Sequence, residues 1–545
     1  MNILGINYGH DASVCLLRDD KIEYAITEER ITRIKHQAGL PIESIKEVLK
    51  RVKPEEIEYV ALAWFGPVKN FNTLFTSAYW RKVAVYKRPF KLLPPWTTIN
   101  EVKILRKLGI QCPVKYIEHH IAHQFSSIAQ SGFKKCLSVS IDGWGDGKSY
   151  YSTLWENEEL KYIAQNDRFS SLGSFYSMAT LLCGFESNEG EGKTMGLAPY
   201  GKPTLLKTFE KVIAYKNLKF YTPERFFRFY TKMKGYQLQL MPDSKILEVT
   251  KNVKKEDIAA SAQMHAENLV LQLSQDLKDQ YGVKKFALSG GFFLNCVANG
   301  KILSDLKLDE LFIQPHAGDG GLALGAAYKV YHELTGQLPQ KQVDQIYYGN
   351  EFTDEEIKTA IKKHNLKYET ADTGEVAELL SKGKIVGWFQ GKDEWGPRAL
   401  GNRSILGDPR RAENKKIINN KVKHRESWRP FCPSLLEEAG PQYLKDYHRC
   451  PFMTMNFSVV KDNIPAATHI DKTARPQTVS RQQNPKYYEL INEFKKITKV
   501  PVLINTSFNL QGEPMVHRPE EAIADYLKTE MDVLVLGNFL IKKRK

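Results

Sequence analysis

The sequence predicts an α/β protein made of a duplicated region over residues 1–340 and a second α/β region over residues 350–545. Three observations carry this reading. A strand–turn–strand–hairpin–strand pattern occurs twice, Gly-rich turns recur between strand-like and helix-like segments, and a polar, proline-containing stretch interrupts the pattern at 335–357. With 545 residues, 42% hydrophobic and 26% charged, the composition is that of a globular chain too long for one core.

The first copy is "NILGINYGHDASVCLLRDDKIEYAITEE" (2–29): an apolar strand, a Gly-containing turn, a second strand, a polar hairpin and a third strand. The second, "LSVSIDGWGDGKSYYSTLWENEELKYIAQ" (137–165), repeats the scheme. Two such halves face one cleft, a common seat for nucleotides because Gly turns let backbone N–H groups approach phosphate.

Between the copies lies "HHIAH". His119 and His123 are four residues apart and share one face of a helix, so both rings can converge on one point. "CLSVSID" reads as a short strand and "DGWGDG" as the tight turn after it, which puts Asp142 at a strand end. An isolated histidine pair also serves as one packed and one solvated ring, so the rest of the chain must decide.

"KFALSGGFFLNCVANGKI" (285–302) is a strand, a Gly-Gly turn and a helix; "IQPHAGDGGLALGAAYKVYHEL" (313–334) repeats that order. Helix N-termini attract phosphate. Asp319 among the second set of glycines repels an anion, and a metal between them reconciles the charges, making Asp319 the fourth candidate ligand.

After the boundary, "TDEEIKTAIKKHN" reads as a helix, and "KIVGWFQG", "VPVLINTSF" and "DVLVLGNFLIKK" as strands. Arg398 and Arg403 lie among glycines in "GKDEWGPRALGNRSILGDPR"; Lys423, Arg425 and Arg429 lie in "KVKHRESWRPFCPS"; Arg475 follows in "ARPQTV". With the donors of Asn505, Ser507 and Asn509 in "NTSFN", these cations make an anion pocket for a phosphate-rich substrate. Surface ion pairing is the ordinary alternative for each arginine.

The net charge of +15 invites a nucleic-acid reading, and two basic–aromatic segments, 79–96 and 216–236, could contact an anionic or sugar-like partner or be ordinary insertions. No apolar run reaches the length of a membrane span, and "MNILGINYGHDAS" carries no basic leader. Seven scattered cysteines without a CxxC pair argue against a disulfide framework and fit a reducing cytoplasm.

The chain resembles the NodU/CmcH-type O-carbamoyltransferases over nearly its whole length. The motifs are "NYGHDAS", "EER" (28–30), "HHIAH", "SIDGWGDG", "EGKTMGLAPYG", "LSGGFFLNCVANGKI", "GDGGLALGAA", "GPRALGNRSIL", "KVKHRESWRPF", "ARPQTV" and "NTSFNLQGEPMV". The resemblance implies an actin/Hsp70-like N-terminal domain, of the type used in tRNA threonylcarbamoylation, and a YrdC-like C-terminal domain. Lys423-His424-Arg425 matches the KxR pattern of the latter and Ser507-Phe508-Asn509 its SxN pattern. It further implies carbamoyl-adenylate formation from carbamoyl phosphate and ATP (with Mg) in the C-terminal domain. Transfer to a sugar hydroxyl would follow at a divalent metal on His119, His123, Asp142 and Asp319, with Fe(II) favoured over Mn(II) or Zn(II).

Within that scheme His10, with Asp11, is the candidate base, or these two merely order their turn. Gly143, Lys193, Gly290, Gly291, Asn295, Gly318 and Gly320 are expected nucleotide contacts, and Glu191 a weaker candidate beside Lys193. No nucleic-acid partner is expected, and a homodimer is compatible with the family. The rival is a tRNA-modifying carbamoyl- or threonylcarbamoyl-transferase, which should lose RNA affinity steeply with salt; a non-catalytic nucleotide-binding scaffold stands third.

Overall fold

The computed structural model describes residues 1–64, 97–224, 231–234, 237–241 and 244–543. The segment 79–96 lies outside the described residues, as do 225–230 and 235–236 within the second basic–aromatic segment.

Two five-stranded sheets share one topology. In the first, Asn2–Asn7 pairs antiparallel with Ser13–Arg18, which pairs with Lys21–Thr27; on its other side Asn2–Asn7 runs parallel to Tyr59–Ala63 and then Val114–Ile117. In the second, Lys135–Gly145, Lys148–Glu156 and Glu159–Asp167 form the antiparallel meander, and Lys285–Ser289 and Glu310–Ile313 add in parallel. The duplicated sequence pattern is thus a duplicated sheet.

The alternation of the first strands sets the layers. Ile3, Cys15 and Leu17 face the space between the two sheets, while Leu4, Ile6, Val14 and Leu16 pack with Ile45, Val48 and Leu105 on the outer face. Two helices, His119–Ser131 and Leu322–Thr335, fill the inner space through Ala122, Phe125, Ala323, Leu324 and Ala327. Small residues permit the close fit. A Cβ at Gly325 would stand 1.8 Å from the Ala122 carbonyl oxygen, and one at Gly5 would stand 1.9 Å from that of Ala323. These contacts hold the ends of both helices, and therefore His119, His123 and Asp319, in fixed relation.

The third sheet has eight strands, ordered Glu369–Thr370, Phe539–Lys542, Val533–Leu536, Val386–Phe389, Arg403–Gly407, Val502–Ser507, Cys432–Leu436 and Gln477–Val479. Its central strands are apolar on both sides because helices cover both faces. Val376, Leu380, Leu490 and Phe494 pack on one face, and Ile357, Ile361, Ile523 and Tyr526 on the other. Thr353 caps the helix Asp354–Lys363 in a reciprocal pair with Glu356.

Two predicted details change. The strand Lys135–Gly145 continues through Asp142, with an irregular register between Ile141 and Gly145, so the turn shrinks to Asp146-Gly147. The helix expected directly after Gly290-Gly291 begins only at Cys296, after a 3₁₀ turn over Gly291–Leu294. All seven cysteines are free thiols. Among the described residues no helix is long and apolar enough to cross a membrane.

The "EER" segment ties the first sheet to the C-terminal region. Arg30 Nη2 donates to the Gly396 carbonyl at 3.0 Å, and Arg33 donates to the carbonyls of Met515 and Pro514 at 2.6 and 2.9 Å. Glu28 is buried and accepts from the Ser44 N–H and hydroxyl.

Candidate metal centre and anion pocket

His119 and His123 project from the first turns of their helix, which Glu118 caps by accepting the Ile121 N–H. Their rings meet at 4.7 Å between centroids. Asp142 arrives from the irregular end of its strand, and Asp319 from the 3₁₀ turn Asp319–Gly321 that leads into the helix Leu322–Thr335. His119 Nε2 stands 3.2 Å from Asp142 Oδ2 and 3.7 Å from Asp319 Oδ1; His123 Nε2 stands 3.9 and 3.4 Å from the same two oxygens. Ligand atoms bound to one ion at about 2.1 Å lie about 3 to 3.5 Å apart, so the set already approximates a cradle.

The residues fit a metal on a second ground. His123 Nε2 and Asp319 Oδ1 are buried without a hydrogen-bond partner, and an orphaned polar atom at such depth is costly unless something binds it. Charge agrees. Burial opposes a charged His119, but Asp319 and Asp142 raise its pKa to about 9. Burial likewise opposes an ionised Asp142, yet the hydrogen bond from His119 and the nearby His123 ring hold it well below the usual carboxylate range. A divalent cation held by these residues would take the place of imidazole protons.

Surrounding groups aim the ligands. The Gly291 N–H donates to Asp142 Oδ1 at 3.0 Å, and the His119 N–H to Asp146 Oδ2 at 2.8 Å. Asn7, buried at the end of the first strand, donates through Nδ2 to the carbonyls of His10, Asp11 and Asp319, joining the first Gly turn to the fourth ligand. His10 consequently sits at the rim: its Nε2 is 3.0 Å from Asp319 Oδ2 and its Nδ1 is 2.9 Å from Asp11 Oδ2.

The expected nucleotide contacts separate into two groups. Gly290 has φ +92°, and a Cβ there would meet the Ile141 carbonyl oxygen at 2.2 Å, so its role is close approach of two chain segments. The Gly291 N–H is spent on Asp142. Asn295 caps the helix Cys296–Leu306 and pairs with Gln263, and Gly320 packs against His316. Glu191 accepts from Ser177 and the Asn188 N–H. By contrast, a side chain at Gly143 would meet only open space, and at Gly318 only Leu294; Lys193 lies over the Phe185 ring.

In the C-terminal region the structure brings Lys423 to Ser507 and Asn509, 84 and 86 positions further along the chain. Lys423, at the end of the π-helical turn Asn419–Lys423, donates to the carbonyls of Ser507 and Asn509 at 2.9 and 2.8 Å and to Asn509 Oδ1 at 2.7 Å. Ser507 Oγ donates to Asn509 Oδ1 at 2.7 Å. The three acceptors favour the ammonium form; burial, Arg425 and Arg429 oppose it and pull the pKa well below the lysine range.

Arg398, Arg425, Arg429 and Arg475 lie within electrostatic reach of one another. Arg475 donates through Nε and Nη2 to Cys432 Sγ at 3.3 and 3.1 Å, and Arg429 approaches Glu426 at 3.8 Å. Among the described residues no carboxylate pairs with Arg398, Arg425 or Arg475. Burial and then neighbouring guanidiniums pull Arg398 and Arg425 down to about 9. Crowded cations relieved by so little negative charge have the chemistry to receive an anion. Inorganic pyrophosphate is therefore expected to raise the melting temperature, by about 2.7 kcal/mol of stabilisation at a hundredfold excess over Kd. In Arg475→Ala a differential scan should show little of that rise.

Two predicted phosphate contacts are committed elsewhere. Arg403 is fully buried, pairs with Asp393 at 2.8 Å, lies over the Phe389 ring and donates to the carbonyls of Gln390, Gly391, Asn402 and Asn350. Its donors are consumed by the fold. Arg403→Met leaves Asp393 buried without that partner and is expected to cost about 3–5 kcal/mol in a denaturant titration. Asn505 is also core: its Nδ2 donates to Ala399, Ser434 and Gln477.

Sequence reasoning did not single out Asn7, His36 or His316. His316 is 8% exposed, both its ring nitrogens are without partners, and it meets Trp395 edge to face at 4.9 Å. Burial pulls its pKa down to about 4. Its position three residues before Asp319 was a readable signal; nothing near His36 in the sequence marks it.

Comparison with known proteins adds lineage to this geometry. A family described as carbamoyltransferase N-terminus matches residues 2–328, and one described as carbamoyltransferase C-terminus matches residues 377–543. The chain is 34% identical to nodulation protein NolNO of Sinorhizobium fredii, over 98% of this chain and 79% of that protein. It is 23% identical to the 3'-hydroxymethylcephem-O-carbamoyltransferase of Streptomyces clavuligerus, over 99% and 98% of the two chains. A solved structure of full-length HypF in the phosphate- and nucleotide-bound form covers 62% of this chain and 47% of HypF at 18% identity with a TM-score of 0.33, too slight a likeness to carry an argument.

Proposed function

This chain belongs to the carbamoyltransferase family, and from that premise we propose that it is an ATP-dependent O-carbamoyltransferase working in two stages. In the first, at residues 350–545, carbamoyl phosphate is hydrolysed to carbamate and phosphate. A carbamate oxygen then attacks the α-phosphorus of ATP, the bond to the β-phosphate breaks, and carbamoyl-adenylate and pyrophosphate form. Arg398, Arg425, Arg429 and Arg475 neutralise the meeting anions, while Lys423, Ser507 and Asn509 orient the nucleotide or carbamoyl group. This region is read as YrdC-like.

The second stage belongs to residues 1–340, read as the actin/Hsp70-like region. His10 Nε2 takes the proton of an acceptor hydroxyl, with its Nδ1–H held on Asp11. That oxygen bonds to the carbamoyl carbon, and AMP leaves. His119, His123, Asp142 and Asp319 would hold a divalent ion, for which mixed imidazole and carboxylate ligands suit Fe(II), Mn(II) or Zn(II), iron being favoured. Such an ion supplies Lewis-acid and template chemistry toward a phosphate oxygen. The acceptor is read as a sugar-containing molecule; the relative named for a hydroxymethyl cephem supports a hydroxyl acceptor.

The observation that carries the two-stage reading is the segregation of charge. Arginines with few anionic partners gather in one place, and an imidazole–carboxylate cradle with orphaned ligand atoms lies in another. The direct test is pyrophosphate release from ATP without acceptor. Release that requires carbamoyl phosphate supports the first stage; none, from folded metal-supplied protein, removes it as an independent step.

A further inference from the structure

Three side chains from distant parts of the chain meet where the first sheet touches the C-terminal region. Arg30 comes from the helix Glu28–Thr32, His316 from the loop before the turn Asp319–Gly321, and Trp395 from the loop after the strand Val386–Phe389. Arg30 Nη2 donates to the Gly396 carbonyl at 3.0 Å, and a Cβ on Gly396 would stand 3.4 Å from that of His316. The His316 ring meets Trp395 edge to face, so the three form one contiguous junction. Arg30, His316 and Trp395 are 3%, 8% and 1% exposed. Even so, Arg30 Nη1, both His316 ring nitrogens and Trp395 Nε1 have no hydrogen-bond partner.

Unpaired polar atoms at this depth are costly. The guanidinium and the indole N–H only donate, and an imidazole can donate from either nitrogen, so the missing partner is an acceptor. Among the described residues no carboxylate supplies it. Asp393 is within electrostatic reach of Arg30, but its oxygens pair with Arg403 Nε at 2.8 Å and His517 Nδ1 at 2.5 Å. Glu394 Oε1 accepts the N–H groups of Leu400, Asn402 and Arg403. Near His316, Asp11 is shared by His10 and His36, at 2.9 and 2.7 Å, and Asp319 faces the cradle. Water would meet the donors but leave the buried guanidinium without a counter-ion. Arg30 is the one permanent charge of the three, so a single negative charge balances it.

We propose that Arg30, His316 and Trp395 form a binding site for a small monovalent anion that ties the first sheet to the C-terminal region. A halide and a planar oxyanion of the formate, bicarbonate or carbamate kind share the required chemistry. The site stands apart from the two-stage reading and does not depend on it.

The test uses the full chain carrying Arg475→Ala, so that the arginine pocket contributes little. Sodium bromide and sodium formate are each compared with sodium gluconate, whose anion is bulky, at equal ionic strength. At least one of the two small anions is expected to raise the melting temperature saturably over gluconate. Adding Trp395→Phe keeps the ring and removes one donor, and should move the midpoint of that titration up about tenfold or more. Adding Arg30→Met should abolish the response; if that variant does not fold, Trp395→Phe decides alone. Crystals grown in bromide and in formate then separate the two sources. Bromide, seen by its anomalous scattering against Arg30 Nη1 and Trp395 Nε1, marks a halide site, and flat formate density there marks an oxyanion site. No rise over gluconate, an unmoved midpoint in Trp395→Phe, or water alone at the junction in both crystals would overturn the proposal.

Discussion

His123→Ala is expected to lower carbamoyl transfer at least about a hundredfold while leaving carbamoyl-phosphate-dependent pyrophosphate release near the wild-type rate. The physical basis is local. His123 Nε2 is buried, lacks a hydrogen-bond partner and stands 3.4 Å from Asp319 Oδ1, so the ring contributes to the cradle and to little polar bonding elsewhere. Removing it takes away one of four candidate ligands and leaves Asp319 and Asp142 facing each other with less compensation. Metal content, read by elemental analysis of the purified chain, should fall with transfer. A folded variant that also lost pyrophosphate release would merge the two stages and sink the division of labour.

The mirror-image result is expected for Lys423→Met. Lys423 hydrogen-bonds the Ser507–Asn509 segment through both carbonyls and Asn509 Oδ1 and stands beside Arg425 and Arg429. Methionine keeps most of the volume and removes every donor, so the segment loses its tie and the pocket one cation. Loss of a donor that stabilises developing charge costs about 10²–10³ in rate. Unsatisfied carbonyls should also cost roughly 1–3 kcal/mol of stability. Pyrophosphate release should therefore collapse while the metal content of the purified chain stays unchanged. Release at the wild-type rate would show that Lys423 only braces the loop.

Much of the site was legible because each part has a local signature. The i, i+4 spacing of His119 and His123 fixes a shared helix face, and an aspartate among glycines beside a strand has few structural uses. The same reasoning failed for Arg403 and Asn505, which look like loop cations and amides in the sequence. Whether an arginine meets a ligand or a carbonyl depends on burial: Arg403 is enclosed by four carbonyls and Asp393, while Arg475 meets a thiol and other guanidiniums. Gly291 and Asn295 failed similarly, since a glycine N–H or a cap serves phosphate and protein equally well.

The sequence by itself carried the duplicated α/β pattern, the helix face shared by His119 and His123, and Asp142 and Asp319 as candidates at Gly turns, because strand alternation, helical spacing and turn chemistry act over a few residues; Lys423, Ser507 and Asn509 were singled out as a set only through the family motifs. Only the tertiary structure decided which glycines approach backbone and which face open space, which arginines remain available to an anion, and that His36 reaches Asp11. Those facts depend on loop closure across 25 residues or more and on the desolvation of each polar group, and neither is written in local spacing.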